Sequence, residues 1–217
     1  MDANKASGSI LLARGSSPKR QRYSIGHELG HFLIPTHRPR ESEQFACSHA
    51  DLRASDTKEK DRHRRIEAEA NRFAASLLMP PRKIRAQLQS RQPDLAEVVR
   101  LARDFRVSKE AMARSYVDAH RETLAVVILK DGHIDRTYRP DDFPWVEPRI
   151  GTQVPYDSIA SDHRLMPGEL SEVEECDPET WLGERASRSV EVLCEQILCQ
   201  RNGYATILLH AELGEEG

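Results

Sequence analysis

Two histidines, His27 and His31, lie four residues apart on either side of Glu28 in the stretch RYSIGHELGHFLIPTH. Positions i and i+4 of an α-helix lie on one face about one turn apart, so both imidazoles can reach the same metal ion. Glu28 is displaced around the helix, beside such an ion rather than on it, where a carboxylate can accept a proton from water. If both histidines bind one metal ion, this short pattern predicts a helix here and a second element that supplies further ligands.

Turn-forming residues frame this helix. Ser24 occupies a typical N-cap position, and Pro35 ends the helix near Ile34 because proline lacks the N–H that a helix interior needs. Ahead of the helix, GSILLAR at residues 8–14 has the apolar run of a short strand bounded by small residues. We therefore expect a strand, a turn and a helix in this part of the chain.

The stretch RIEAEANRFAASLLMP offers the missing ligand. A helix is predicted from about residue 57 to residue 78, ended by Met-Pro-Pro. Glu67 and Asn71 share one face of it, so Glu67 is the preferred third ligand and Asn71 can hold the free N–H of a ligand histidine. Glu69 lies two residues beyond Glu67, points elsewhere on the helix and is the alternative ligand.

Other histidines and one cysteine carry weaker signals. His37, His49 and His63 are interpreted as surface histidines, because no spacing singles out any of them as a partner of the site. Cys47 lies two residues before His49, but a free cysteine more often behaves as a small core residue than as half of a metal clip. The chain has four cysteines and no Cys-x-x-Cys pair, which predicts free thiols.

Shorter helices are predicted at residues 82–90, 95–105 and 108–120. Residues 94–120 resemble a helix-turn-helix, and residues 1–122 carry 24 Lys and Arg against 16 Asp and Glu, a net charge of +8. Weak nucleic-acid binding through this basic region is therefore an open alternative. Packing of these helices is the preferred interpretation, because any short helix pair mimics the motif.

From Thr123 the pattern changes from helical to strand-like. Asp131-Gly132 and Asn202-Gly203 separate apolar runs and predict β-hairpins, since these residue types tolerate positive φ. Within the second hairpin, the run EVLCEQIL also fits a helix. Residues 123–217 carry 8 basic and 19 acidic side chains, a net charge of −11, and this change of sign predicts two domains, 1–122 and 123–217.

No apolar run approaches the length of a membrane span, and the N-terminus lacks the apolar region of a signal peptide. Aliphatic runs such as LAVVILKDG nevertheless predict a folded core rather than disorder. We therefore expect a cytoplasmic protein with no membrane partner.

HELGHFLIPTH, followed roughly thirty residues later by EAEANRFAASLLMP, resembles the ImmA/IrrE family of zinc metallopeptidases, which are gluzincin-like. The resemblance implies a zinc ion (Zn²⁺) held by His27, His31 and Glu67, with Glu28 as general base and Asn71 supporting a ligand histidine. It implies an α+β fold, in which a zincin-like metallopeptidase domain with a helical, helix-turn-helix-like extension precedes a small α/β domain. The order of elements in that acidic C-terminal domain resembles GAF-type sensor domains.

The resemblance also implies an activity, hydrolysis of a peptide bond in a regulatory protein such as a helix-turn-helix repressor or an antitoxin. The strand at residues 9–13 would align the substrate by adding it as a further strand. Family members usually carry further helices ahead of this strand, which implies that part of the cleft is absent here or supplied by a partner. Two alternatives stay open: a non-catalytic zinc-binding regulator that binds DNA or a repressor, and a component of a toxin–antitoxin pair.

Overall fold

Helices and an antiparallel β-sheet make up the computed structural model, which describes residues 7–37, 62–88, 92–161 and 166–214. The α+β class expected from the sequence is confirmed. The chain divides into two units, of which the first is Met1–Pro80 with Phe105–Ser108 and the second is Pro81–Asp104 with Lys109–Gly217.

Helix α1 of the first unit spans Pro18–Leu33. Its N-cap is Ser17, whose hydroxyl accepts a hydrogen bond from the Arg20 N–H at 3.3 Å. The prediction of Ser24 as the N-cap is wrong, because Pro18 at the first helical position already has the φ angle of a helix and needs no N–H partner there. The helix therefore begins earlier than predicted and carries Ser24 in its interior.

Helix α2 spans Arg62–Leu78 and ends ahead of Pro80 and Pro81, as predicted. Its predicted start near residue 57 lies outside the described residues. Ala70 and Ala74 of α2 are fully buried and lie against α1. The first unit is thus built around two helices packed side by side.

The predicted strand at residues 8–14 is not formed. Residues 7–13 belong to no strand of the described chain, and the side chain of Leu11 is 94% exposed. A lone extended segment has no ladder of hydrogen bonds to stabilise it, and no strand of the described sheet pairs with this segment. The expected alignment of a substrate along such a strand therefore has no support in the described structure.

Three helices open the second unit, α3 (Pro81–Gln87), α4 (Leu95–Asp104) and α5 (Lys109–Ala119). α4 and α5 are amphipathic and bury apolar side chains, which include Leu95, Val98, Leu101, Met112, Ala113 and Tyr116. The sequence assigns these helices to an N-terminal domain, whereas in the structure they share a unit with the β-sheet, because their apolar faces need a core to cover them. The domain ranges 1–122 and 123–217 stay predictions.

The turn between α4 and α5 belongs to the first unit. A guanidinium nitrogen of Arg22, on α1, donates to the carbonyl oxygens of Phe105 and Arg106 at 2.9 Å each. Arg106 has a φ of 56°, in the left-handed region that a tight helix–helix turn requires. The turn is thus held by its backbone oxygens.

Within the described residues, five strands form one antiparallel sheet in the order β2-β1-β5-β4-β3. The strands are β1 (Thr123–Lys130), β2 (His133–Tyr138), β3 (Glu174–Cys176), β4 (Val190–Cys199) and β5 (Tyr204–Leu213). Every residue from 124 to 129 in β1 is buried, so this strand is covered on both faces. The finer expectation of a GAF-like domain stays a prediction.

Both predicted hairpins are present, one joining β1 to β2 and the other joining β4 to β5. Asp131 and Gly132 have φ angles of 50° and 75°, and Asn202 and Gly203 have φ angles of 60° and 71°. The run EVLCEQIL lies in β4, so the helix alternative is wrong. Pairing with strands on both sides satisfies the backbone of β4, and this long-range pairing outweighs the local helical pattern.

A buried carboxylate, Glu195, ties loop residues to the sheet. It lies on the same face of β4 as Leu193 and is 1% exposed. Its oxygens accept hydrogen bonds from the Ser158 hydroxyl and the Ile159 N–H, both at 2.8 Å, and from the Trp181 indole N–H at 3.0 Å. Burial raises the pKa of Glu195 more than these donors lower it. This single side chain thus holds two loop segments over the core.

Cys176, Cys194 and Cys199 are free thiols, as predicted. Burial raises the pKa of Cys176 to about 12, and it raises the pKa of the other two thiols as well. The thiols are therefore protonated near neutral pH and are poor nucleophiles. Cys47 lies outside the described residues.

The longest helices of the described residues are α1 and α2, with 16 and 17 residues. Both carry several charged side chains. No helix in the described ranges is long and apolar enough to cross a membrane.

His120 follows the end of α5, and its Nδ1 accepts a hydrogen bond from the Glu122 N–H at 3.2 Å. Burial lowers the pKa of His120, an effect that the carboxylates of Glu122 and Glu97 oppose and that His210 reinforces. A histidine with a lowered folded-state pKa binds a proton more tightly in the unfolded chain. Its contribution to stability is therefore complete above the ordinary pKa of about 6.5 and is lost as the pH falls below it.

We expect His120→Asn to weaken the pH dependence of folding stability between about pH 7.5 and about pH 5.5. Asparagine keeps an acceptor for the Glu122 N–H but does not titrate, so a contribution of at most about 1.4 kcal/mol per pH unit disappears. Urea unfolding followed by circular dichroism at the two pH values measures the effect. The exposed His133→Asn is the control, and an unchanged pH dependence in His120→Asn would contradict the assignment.

Candidate metal centre

Two glycines allow α1 and α2 to approach closely. A Cβ atom built on Gly30 would lie 3.2 Å from the Ala70 Cα and 3.2 Å from the Phe73 ring, and one built on Gly26 would lie 3.3 Å from the Ala74 Cβ. These distances are tighter than ordinary carbon contacts, so residues with side chains at these positions would push the helices apart. The close approach brings one face of α2 against the face of α1 that carries the two histidines.

That approach brings together the three side chains that the sequence singles out as ligands. The Nε2 atoms of His27 and His31 lie 3.2 Å and 3.4 Å from the two carboxylate oxygens of Glu67, and 3.1 Å from each other. One ligand atom from each residue lies within 4.8 Å of the others. His27 and His31 are 0% exposed and Glu67 is 1% exposed, so the group is enclosed by protein.

His27 is oriented by a side chain of α2. Its Nδ1 lies 3.0 Å from the Oδ1 of Asn71, which also accepts a hydrogen bond from the Tyr23 hydroxyl at 3.1 Å. An amide oxygen only accepts, so the proton of the His27 ring lies on Nδ1 and its Nε2 lone pair points at Glu67. Asn71 thus holds the His27 ring from the helix that also carries Glu67.

His31 is held by a different pair of side chains. Its Nδ1 lies 3.1 Å from the Nδ1 of His37, and the Nε2 of His37 lies 2.9 Å from a carboxylate oxygen of Glu69. The interpretation of His37 as a surface histidine is wrong, since this residue is 0% exposed. Glu69, the alternative third ligand, faces His37 and not the group that Glu67 joins.

The chemistry of the group formed by His27, His31 and Glu67 fits a divalent cation. With both Nδ1 atoms occupied by other partners, two nitrogen lone pairs and a carboxylate face one another in a buried space. Lone pairs and a carboxylate held this close repel one another unless a cation lies between them. Two imidazoles and a carboxylate are a ligand set that zinc accepts, with one position left for another ligand.

The charge of Glu67 is favoured within this group. Burial by itself raises the pKa of the carboxyl, but the neighbouring imidazoles of His27 and His31 lower it by more than burial raises it. The net effect holds the pKa of Glu67 well below its ordinary value. The carboxylate is thus ionised and ready to bind a cation at any pH near neutrality.

Glu28 directly follows His27 on α1 and is partly exposed. One residue of helix rotates its direction by about 100° from that of His27. Within the described part of the chain its carboxylate makes no hydrogen bond or ion pair that would compete for a proton. The carboxylate is therefore not engaged by another side chain of the described residues.

Of the remaining candidates from the sequence, only His63 lies within the described residues. The side chain of His63 is 63% exposed, with its Nε2 at 4.0 Å from the nearer oxygen of Glu67 on the same helix. Its interpretation as a surface histidine is confirmed. His49 lies outside the described residues, as does its neighbour Cys47.

Several basic side chains of the helical region, residues 94–120, contact other side chains of the protein. Arg100 and Arg103 pair with Asp104, both at 3.4 Å, and the Arg114 guanidinium lies 4.9 Å from the centre of the Tyr138 ring. α5, the second helix of the predicted helix-turn-helix, buries five of its side chains: Met112, Ala113, Tyr116, Val117 and Ala119. These contacts favour packing as the role of the helix pair.

Sequence reasoning missed Tyr23, His37 and the two glycines. Tyr23 lies four residues before His27, so its place on the same helix face was available from spacing alone. His37 follows Pro35, where the helical period ends, and no spacing rule predicts where its side chain points. The need for Gly26 and Gly30 depends on what packs against them, which is a tertiary property.

Comparisons with known proteins bear on this site. A family model described as Peptidase_M78, IrrE N-terminal-like domain, matches residues 2–115. A solved structure described as a Mycobacterium tuberculosis transcriptional regulator has a TM-score of 0.53 at 17% sequence identity, over 92% of this chain and 59% of that chain. This chain therefore resembles that structure in fold and spans about three fifths of its length. The comparison with curated protein sequences returned no match.

We expect Gly30→Ala to weaken metal binding about fivefold or more, because overpacking at a site that faces backbone costs about 1–3 kcal/mol. The added methyl group meets Ala70 backbone atoms and the Phe73 ring, so α2 must move away from His31. Competition with a zinc chelator of known affinity measures the change. Gly8→Ala is the control, since its Cβ lies at an ordinary 3.6 Å from the Phe32 ring. Equal zinc affinity of Gly30→Ala and wild type would contradict the prediction.

Proposed function

The chain belongs to the Peptidase_M78 family of IrrE N-terminal-like domains, and on that premise we propose that it is a zinc-dependent metallopeptidase. The observation that carries the proposal is the buried group of His27, His31 and Glu67, with Glu28 next to His27 in helix α1. The proposed reaction is hydrolysis of a peptide bond in a regulatory protein. A zinc ion held by the three side chains would supply a Lewis acid that polarises a carbonyl group and activates water.

The protein's own residues have separate roles in this reaction. His27 and His31 would bind the ion through Nε2, and Glu67 would bind it through its carboxylate. Asn71 keeps the proton of His27 on Nδ1 and so leaves Nε2 free for the ion. These residues would hold the ion and orient its ligands. They do not take the proton from the attacking water.

Glu28 is the residue that we assign to proton transfer. As general base it takes a proton from the attacking water, and as general acid it passes that proton to the nitrogen of the leaving amine. Its carboxylate is separate from the ligand group, partly exposed and without a competing partner among the described residues. Glu67, by contrast, is occupied by two histidines and cannot serve this purpose.

The proposed substrate class is a regulatory protein such as a helix-turn-helix repressor or an antitoxin. Two observations support it: the family match over residues 2–115, and the fold likeness to a structure described as a transcriptional regulator. A metal-binding regulator without turnover is the alternative, and it shares the same ligand group. Measurement of proteolysis separates the two.

We expect Glu28→Gln to keep bound zinc and to lose about 10²- to 10⁴-fold in hydrolysis, because glutamine is nearly isosteric but cannot accept the proton. Purified protein is incubated with a bacterial cell extract, and newly formed N-termini are labelled and identified by mass spectrometry. The wild type should create new N-termini in regulatory proteins, and Glu28→Gln should not. Zinc content, measured by elemental analysis, should be equal in both.

Glu67→Ala is the matched control, and it should lose both zinc and the new N-termini. New N-termini that form equally well with Glu28→Gln would overturn the role of Glu28. A wild type that holds zinc but creates no new N-termini would favour the non-catalytic alternative. A folded wild type that binds no metal would overturn the metal centre itself.

A further inference from the structure

The two histidines of the metal centre are supported unequally. The Nδ1 of His27 meets an amide oxygen, that of Asn71, whereas the Nδ1 of His31 meets a second imidazole, that of His37. An amide oxygen can only accept a hydrogen bond, but an imidazole nitrogen donates or accepts one according to its tautomer. The orientation of His31 therefore depends on what sets the tautomer of His37.

Glu69 sets that tautomer. Its carboxylate only accepts hydrogen bonds, and it lies 2.9 Å from the Nε2 of His37. The proton of the neutral His37 ring must therefore lie on Nε2, which leaves Nδ1 of His37 as an acceptor. His31 then donates from its own Nδ1 across 3.1 Å and presents a bare Nε2 to the metal position. Of the possible proton arrangements, this one satisfies every contact in the chain of three residues.

The local structure keeps this chain of residues in place. After α1 ends, the His37 N–H donates to the Ile34 carbonyl oxygen at 3.1 Å, and this turn returns the His37 ring to the helix that it follows. His37 is 0% exposed, while the Glu69 side chain is 30% exposed and lies 3.8 Å from the Arg65 guanidinium. The partly exposed carboxylate of Glu69 thus holds the buried His37 ring in place.

We propose that His37 and Glu69 are positioning residues of the metal centre, acting through His31. This rests on the proposed function only in that His27, His31 and Glu67 bind the ion. A hydrogen bond from the remote nitrogen of a ligand histidine fixes its orientation and raises its strength as a ligand. Glu69 and His37 therefore support His31 as Asn71 supports His27, and neither His37 nor Glu69 belongs to the group of His27, His31 and Glu67.

Zinc affinity of the full chain, measured by chelator competition, tests the proposal. His37→Leu removes the acceptor and should weaken zinc binding about 10- to 100-fold, as Asn71→Leu should on the other histidine. His37→Asn places a carbonyl oxygen near the position of Nδ1 and should recover most of the affinity that His37→Leu loses. Glu69→Leu should weaken binding, and the exposed His133→Leu should leave it unchanged.

A spectroscopic readout is independent of affinity and of activity. In the zinc-loaded wild type, ¹⁵N-edited NMR should show a ring proton on Nδ1 of His31 and one on Nε2 of His37. Both should exchange slowly with water, and the His31 proton should shift and exchange faster in His37→Leu. If His37 carries its proton on Nδ1, or if His37→Leu and His37→Asn bind zinc as tightly as the wild type, the proposal is overturned.

The outcomes separate this proposal from the one on which it rests. Absence of zinc binding by folded wild type would overturn the metal centre and with it the role of His37. Tight zinc binding that is indifferent to His37 and Glu69 would overturn the positioning role alone. Circular dichroism and urea unfolding identify any variant that fails to fold, and the wild-type NMR spectrum then decides the question without that variant.

Discussion

The close packing of α1 against α2 is the constraint on which the candidate site depends. Gly26 and Gly30 have no side chains of their own, so Ala70 and Ala74 of α2 approach the backbone of α1 closely. Packing this close tolerates little added side-chain volume, because protein interiors are as dense as organic crystals. An added methyl group therefore forces neighbouring side chains and backbone to shift. The same contact that buries apolar surface also brings Glu67 to within hydrogen-bonding distance of His27 and near His31. Stability and the arrangement of ligands therefore have one physical cause.

Burial makes the polar groups of this site interdependent. A buried imidazole or carboxylate without a partner is costly, and here each ring nitrogen of His27 and His31 faces another side chain. The partners differ in kind, an amide for His27 and a second imidazole backed by a carboxylate for His31. Because each partner fixes a proton position, the network also determines which atoms remain free for a cation. The arrangement of this candidate site therefore depends on the neighbouring side chains as well as on His27, His31 and Glu67.

Two buried glutamates show how far environment decides the chemistry of one residue type. Glu67 faces histidines, which hold its pKa low despite burial. Glu195, in the second unit, faces a hydroxyl, a backbone N–H and an indole N–H, and burial raises its pKa. The imidazoles beside Glu67 offset burial more than the hydrogen-bond donors beside Glu195 do. The first carboxylate is therefore suited to bind a cation, whereas the second holds loop residues against a core.

Local periodicity by itself determined that His27 and His31 share a helix face, that Glu67 and Asn71 share another, and that Asp131-Gly132 turns a hairpin. Each of these follows from backbone geometry over a few residues. The tertiary structure decided the rest. Glu67 and not Glu69 meets His27 and His31 because only one face of α2 packs against the helix that carries them. EVLCEQIL is a strand because β3 and β5 flank it. His37 reaches the site through the turn of residues 34–37, where helical spacing no longer relates position in the sequence to direction in space.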